Sequence, residues 1–124
     1  MDVDHSAVDW NGKKQKDTSG EENTIAIPGF EKVTLYANET KQAVNFHNPE
    51  INDCYFKISL IHPDGSVLWI SDLIEPGKGM YSIELEKTLA VGEYENAVLK
   101  YECFSLNDQS PLNGSEINLK LVVV

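Results

Sequence analysis

Apolar and polar residues alternate with a period of two in several short stretches of the chain, a pattern typical of half-buried β-strands. The clearest stretch is 54–61, whose inward face is predicted to carry Cys54, Phe56, Ile58 and Leu60. The turn-forming sequence His-Pro-Asp-Gly follows at 62–65, and a second arm carries Trp69. We therefore predict a β-hairpin over 52–72. Because an isolated hairpin is unstable in water, a second layer must cover its apolar face.

The same alternation predicts strands at 32–36, 42–47, 80–85, 94–104 and 117–123. Alternate residues of these strands are expected to face the core: Val33, Leu35, Val44, Phe46, Tyr81, Ile83, Leu85, Ala97, Leu99, Tyr101, Cys103, Ile117, Leu119, Leu121 and Val123. Turn signals separate the strands, and 107–115 is predicted to be a polar loop. The predicted fold class is all-β, a sandwich or barrel of seven to eight short strands, with no convincing helical period.

At 124 residues the chain has the length of one domain. Residues 1–23 are polar without a sustained apolar period, so we predict a flexible polar linker there and a folded domain over 24–124. Trp10 interrupts the polar composition, and it is either a docking anchor or a stray aromatic residue.

The charge balance is acidic, with 20 Asp and Glu residues against 10 basic residues, all of them lysine. This composition argues against nucleic acid and against an anionic membrane surface as partners, since both need a basic face. No apolar run reaches membrane-spanning length, so no direct membrane insertion by this chain is expected. The polar start Met1–His5 lacks the layout of a signal peptide, and we expect an export segment to have been removed upstream of residue 1.

The two cysteines, Cys54 and Cys103, match neither a zinc spacing nor a CxxC redox pair. They form either a disulfide or two buried free thiols. The order of Cys54, Trp69 and the Tyr101–Cys103 segment resembles that of an immunoglobulin fold, although in antibody domains the first cysteine lies one strand earlier. If the strands at 54–61 and 94–104 are antiparallel neighbours, the two sulfurs meet. Closing that loop would contribute about 4 kcal/mol by chain entropy.

Four segments resemble a family of uncharacterised immunoglobulin-like β-sandwich domains, found on exported or surface-anchored proteins of Gram-positive gut bacteria. They are IAIPGF at 25–30, VNFHNPEINDCYFKISL at 44–60, DGSVLWISDLIEPGKG at 64–79 and GEYENAVLKYECFS at 92–105. The resemblance implies an immunoglobulin-like antiparallel sandwich and an extracellular or cell-surface location. It supplies no catalytic residues, because the family has no assigned activity.

No residue pattern indicates an active site, a cofactor or a metal ion. The three histidines, His5, His47 and His62, lack metal-ligand spacing, and no serine lies in a GxSxG motif. His62 and Asp64 are predicted to be turn residues rather than an acid–base pair. The abundant carboxylates alternate on strands that we expect to be solvated, so we predict that the chain is not an enzyme.

A non-enzymatic extracellular interaction or accessory module is the leading functional prediction, with an unidentified protein or a glycan as partner. A protein partner would meet the loops at one end of the sandwich, Asn48–Asp53, Ser105–Gly114 and Glu75–Gly79. The alternative is a carbohydrate-binding module with an exposed aromatic surface drawn from Tyr55, Trp69 and Tyr81. Core positions are the competing interpretation of Trp69 and Tyr81. A hydrolytic enzyme is a remote third hypothesis.

Overall fold

The computed structural model describes residues 2–9 and 32–124, which form eight β-strands. In chain order these are β1 (Val8–Asp9), β2 (Lys32–Leu35), β3 (Lys41–His47), β4 (Cys54–Ile61), β5 (Val67–Ile70), β6 (Lys78–Glu84), β7 (Gly92–Ser105) and β8 (Pro111–Val123). Neither range contains a helix, and the predicted all-β fold class is confirmed. The described part of the chain accordingly offers no helix that could cross a membrane.

The strands form a large and a small sheet. The large sheet has five strands in the order β2-β8-β7-β4-β5, and the small sheet has three in the order β1-β6-β3. Every pair is antiparallel except β2 and β8, which run parallel. The arrangement is sandwich-like, since Phe46 of the small sheet packs on Trp69 of the large sheet with ring centroids 5.8 Å apart.

The centre of the large sheet is the antiparallel pair β4–β7, which runs from Cys54↔Ser105 to Ile61↔Val98 without a register shift. Strict alternation on both strands sets this register, because a slip by one residue would turn the apolar set to solvent. The predicted hairpin is also confirmed. Strand β5 pairs with β4, and Gly65 takes a φ of 92° in the connecting turn.

One apolar core lies between the sheets and draws side chains from both. Its largest fully buried members are Tyr101, Phe46, Phe56, Leu35, Ile58, Leu60, Leu68, Leu73, Ile74, Leu99 and Leu121. Phe56 and Tyr101 pack edge to face with centroids 5.2 Å apart. Most of the inward positions expected from the sequence are buried, while Val44 and Ile117 are only partly covered.

Tyr81 is the exception, because it was expected to face the core and is 39% exposed. The pairing of β3 with β6 shifts register between Ala43 and Phe46, where β3 carries one extra residue. Opposite this bulge the alternation of burial along β6 breaks, and Met80 and Ile83 take the buried positions. A local sequence pattern cannot show such a bulge.

The predicted polar loop at 107–115 is shorter than expected, because β8 already begins at Pro111. The pairing of β7 with β8 shifts register between Tyr101 and Cys103, where β8 carries one extra residue. Beyond this bulge the pairing resumes, so β8 extends back to Pro111. Gly114 lies at this bulge, and a Cβ atom there would come within 2.2 Å of the Tyr101 carbonyl oxygen. Only glycine fits such a close approach.

Residues 2–9, which the sequence places in the linker, contact the small sheet and the segment that connects β5 to β6. The Asp4 N–H donates to the Leu73 carbonyl at 2.7 Å, and β1 pairs with the first residues of β6. A two-residue strand has no detectable period, so the sequence could not predict it. The remainder of the predicted linker, 10–23 with Trp10, and the entry to the domain at 24–31 lie outside the described residues.

Candidate binding surfaces

The three aromatic residues predicted to form a binding surface lie in different places. Tyr55 is half-buried on the outer face of the large sheet, opposite Phe104 of β7. Trp69 is 7% exposed and packs in the core against Phe46, so its core interpretation is correct. Tyr81 lies exposed on the small sheet. The sequence-predicted residues therefore do not form one aromatic surface.

The hairpin turn holds its two polar side chains through local contacts. Asp64 accepts hydrogen bonds from the Ser66 hydroxyl at 2.6 Å and the Ser66 N–H at 2.8 Å. These bonds lower the pKa of Asp64 to about 2. Nδ1 of His62 accepts from the Asp64 N–H at 3.1 Å and lies 3.0 Å from Oδ1 of Asp64. Both residues serve the turn, as the sequence predicts.

Cys54 and Cys103 lie on neighbouring strands, face the core and are each 1% exposed. Cys54 is paired with Ser105 and Cys103 with Phe56, which makes the two cysteines diagonal neighbours on one face. Both are free thiols, and they share a hydrogen bond. That hydrogen bond and burial raise the pKa of the Cys103 thiol, which disfavours the reactive thiolate at neutral pH. The disulfide stays a prediction.

Two of the three loops predicted to form a binding end, 48–53 and 75–79, meet at buried Asn48, which follows β3. Its N–H donates to the Lys78 carbonyl at 2.9 Å, and its side-chain amide donates to the carbonyls of Cys54 at 2.8 Å and Ile74 at 2.9 Å. Its amide oxygen accepts from Asn52 at 2.9 Å. One asparagine thus joins the loop after β3 to the start of β4 and the turn before β6.

Two apolar side chains are exposed on the loops at this end of the sandwich. Cys54 is paired with Ser105, so the loop leaving β7 emerges beside the loop entering β4. Ile51 on the first loop is 69% exposed, and Leu106 on the second is 40% exposed. We call this surface the loop end. Contact with a partner would remove both side chains from water, which is favourable.

A pocket of about 470 Å³ lies on the large sheet beside the β7–β8 bulge. Its charged lining consists of Lys100, Glu102 and Glu116. Phe104 and Pro111 also line it, and the register places them in one row with Tyr55. We call it the β7–β8 pocket. It combines aromatic and charged groups that could hold a polar small molecule.

A second cavity, of about 440 Å³, lies between β5 and β6, and we call it the β5–β6 groove. Its apolar lining consists of Trp69, Ile70, Met80 and Ile83. Its polar lining consists of Asp4, Ser6, Lys41, Asp72, Ser82 and Glu84. The 2–9 segment borders one end, where the Asp4 carboxylate accepts from the Asp72 N–H at 3.1 Å and the Ser6 hydroxyl contacts the Met80 sulfur at 3.8 Å.

Sequence reasoning missed the polar residues of both cavities. Those of the groove come from distant segments, such as Asp4, Asp72 and Glu84, so no local spacing links them. For the polar residues of the β7–β8 pocket, the sequence contains one signal. Lys100 and Glu102 alternate with inward apolar residues on the same strand, which predicts a polar outer face.

Within residues 2–9 and 32–124, no three His, Cys, Asp or Glu side chains are arranged so that they could hold a metal ion. The chain matches no protein-family model, no curated protein and no solved structure. Its function therefore has to be inferred from the surfaces described above.

Proposed function

We propose that this chain is a non-enzymatic extracellular interaction or accessory module of a bacterial surface protein, built on an immunoglobulin-like sandwich. The surface location and the family rest on the sequence resemblance. The strand order supports the fold. Immunoglobulin domains place strands C, F and G in one sheet and B and E in the other. Here β4, β7 and β8 are neighbours in the large sheet, and β3 and β6 are neighbours in the small sheet.

A tyrosine hydrogen bond supports the same fold. In immunoglobulin domains a tyrosine near the start of strand F bonds to the backbone a few residues upstream. Tyr94, near the start of β7, donates from its hydroxyl to the Ala90 carbonyl at 2.8 Å. The sequence had pointed to Tyr101 for this place, but that side chain is buried in the core.

The loop end is the observation that carries the proposed interaction function. Asn48 ties the Ile51 loop to the start of β4 and to the turn before β6, and Cys54 of β4 pairs with Ser105, from which the Leu106 loop leaves. Ile51 and Leu106 are nevertheless exposed on these loops. Held loops with apolar side chains at their surface are a suitable protein-binding site, because little further ordering is needed when a partner binds.

An array experiment tests the proposal. The 124-residue chain is applied to an array of extracellular proteins and to an array of glycans. We expect binding on the protein array, lost when Ile51→Ser and Leu106→Ser are combined. The matched control is Val91→Ser, since Val91 is 70% exposed in the turn before β7, at the opposite end of that strand. Silence on both arrays would contradict an interaction function, and binding that survives the double variant would contradict the loop end.

A carbohydrate-binding module is the second candidate, and the β7–β8 pocket favours it. Tyr55 and Pro111, which flank buried Phe104 in one row, supply apolar surface on which a sugar ring could lie, and Glu102 supplies a hydrogen-bond acceptor. Under this function the glycan array gives a signal that Tyr55→Ala and Glu102→Gln each reduce. A glycan signal unaffected by both variants would exclude the pocket.

A further inference from the structure

Strand β6 has a different environment on each of its two sides. On one side it pairs with β3 from Gly79 to Glu84. On the other side it pairs with β1 at Lys78 and Gly79, and within residues 2–9 and 32–124 no strand continues beside Ser82 or Glu84. That side of β6 faces the β5–β6 groove. The edge of a strand is a template on which another extended chain can pair.

Backbone contacts limit the groove at both ends. At one end the Asp4 N–H donates to the Leu73 carbonyl at 2.7 Å, and at the other the Glu86 N–H donates to the Leu68 carbonyl at 2.7 Å. The stretch of β6 between them is 80–84. An added strand of about five residues, roughly 17 Å long, would match it.

The lining of the groove selects the chemistry of an added strand. Successive side chains of a strand point to opposite faces, so one set would enter the sandwich and contact Trp69, Met80 and Ile83, which are buried at its base. The other set would lie outside, beside the carboxylates of Asp72 and Glu84. Apolar residues suit the first set, and lysine or arginine suits the second.

Charge also decides between a second copy of this chain and another protein. The chain has a formal net charge of −10, so two copies repel each other at moderate ionic strength. The groove itself carries three carboxylates, from Asp4, Asp72 and Glu84, against the single ammonium of Lys41. A cationic segment of a different protein is complementary to this surface.

We propose that the β5–β6 groove binds an extended segment of a partner protein, about five residues long, in which apolar residues alternate with lysine or arginine. The segment adds as a strand to the side of β6 that faces away from β3, beside Ser82 and Glu84, and inserts its apolar side chains against Trp69. This site lies apart from the loop end, so it goes beyond the interaction function proposed above and does not depend on the outcome of the arrays.

A peptide titration tests the groove. The probe is a seven-residue peptide that alternates lysine and valine, added to the isotope-labelled chain and followed by two-dimensional NMR. A Trp10→Phe background leaves Trp69 as the single indole reporter, since the chain has two tryptophans. We expect shifts confined to the Trp69 indole and to the amides of 67–72 and 80–84. A peptide that alternates glutamate and valine is expected to produce none.

Charge reversal provides the matched variants. Asp72→Lys combined with Glu84→Lys is expected to weaken peptide binding about tenfold at low salt, since two attractions become repulsions. Glu102→Lys combined with Glu116→Lys makes the same change in net charge on the large sheet and is expected to leave the affinity unchanged. If the double variant no longer gives the dispersed spectrum of a folded chain, Asp72→Asn is the milder variant to use in its place.

Four results would overturn the proposal. The first is a spectrum that the peptide leaves unchanged, and the second is equal weakening by the control pair, which would indicate nonspecific attraction. The third is a concentration-dependent shift of the same amides without peptide, which would identify a second copy as the occupant. The fourth is a set of nuclear Overhauser contacts from Trp69 to residues 10–31, which would identify the chain's own segment. None of these results bears on the loop end.

Discussion

The centre of the large sheet and the free side of the small sheet are built in opposite ways. Strand β4 is paired on both sides, with β5 and β7, and β7 is paired on both sides with β4 and β8. Strand β6 is paired along one side, while its other side meets a two-residue strand at one end. The backbone of the first region has its hydrogen bonds satisfied within the domain. Beside Ser82 and Glu84 in the second region, residues 2–9 and 32–124 supply no further strand.

This difference indicates which region of the domain mainly determines its stability and which region is accessible for binding. The β4–β7 pair buries Phe56, Ile58, Leu99 and Tyr101 completely or almost so. The groove beside β6 leaves an apolar base within reach of the surface. Substitutions in the first region should therefore lower the free energy of unfolding, while changes in the second should act first on local opening and on binding.

Shortening a buried side chain at the centre should have the largest effect. Phe56→Ala is expected to lower the free energy of unfolding by about 4 kcal/mol, because it leaves a cavity beside Tyr101. Met80→Ala, at the groove, is expected to cost about 2 kcal/mol, since water can enter the space. Urea denaturation followed by circular dichroism measures both. Equal losses for the two variants would contradict the comparison.

Removing the link between the two regions should have an intermediate effect. Asn48→Ala deprives the carbonyls of Cys54 and Ile74 of their side-chain donor, and it is expected to cost about 2 kcal/mol. The control is Asp53→Ala on the same loop, an exposed residue for which we expect less than about 0.5 kcal/mol. A loss for Asn48→Ala no larger than that of the control would show that its hydrogen bonds stabilise nothing.

Deleting residues 1–9 should affect only the small sheet. The truncation removes β1 and the contacts of Asp4 with Leu73, and the expected cost is about 1 kcal/mol. Hydrogen exchange should accelerate at Lys78 and Gly79, while the amides of β4 and β7 continue to exchange only through global unfolding. Faster exchange throughout β4 would contradict this separation.

Acid should loosen the small sheet before the large one. Burial lowers the pKa of His47 at the end of β3, so its stabilising contribution is complete above about 6.5 and is lost as the pH falls through the lowered value. Asp64 in the large-sheet hairpin has a pKa lowered to about 2, so its contribution is complete above 3.8 and is lost only between 3.8 and about 2. Urea midpoints from pH 8 to pH 3 for the wild type, His47→Gln and Asp64→Asn would show this order. A His47→Gln variant with an unchanged pH dependence above pH 5 would refute it.

The sequence was most informative where alternation is strict. Strand β4 and the part of β7 that pairs with it, 98–105, alternate their faces regularly, and this predicted their inward residues and the antiparallel meeting of Cys54 with the end of β7. It was least informative at bulges. Tyr81 was misplaced because it lies opposite a bulge in the neighbouring strand β3, and the start of β8 was misplaced because the strand extends past its own bulge. No local composition marks either position.

The β5–β6 groove could not be predicted from local alternation. The β5–β6 groove combines Asp4, Trp69 and Glu84, which belong to three separate segments that only the packing of the sheets brings together. The loop end was partly predicted, since its loops were identified from turn residues. The role of Asn48 was not predicted, because an asparagine before a proline is typical of an ordinary turn, and its five hydrogen-bond partners are visible only in the structure.

The parallel pairing of β2 with β8 has a mechanical consequence. Lys32 lies beside Lys120 and Leu35 beside Val123, so both strands run toward the same end of the domain. If the chain is pulled from both sides, tension draws β2 backward and β8 forward along their common axis. The hydrogen bonds between them are then loaded together in shear rather than opened one after another. A domain held between two tethers would resist such a force until the whole pair slides at once, which force spectroscopy would record as a single rupture event.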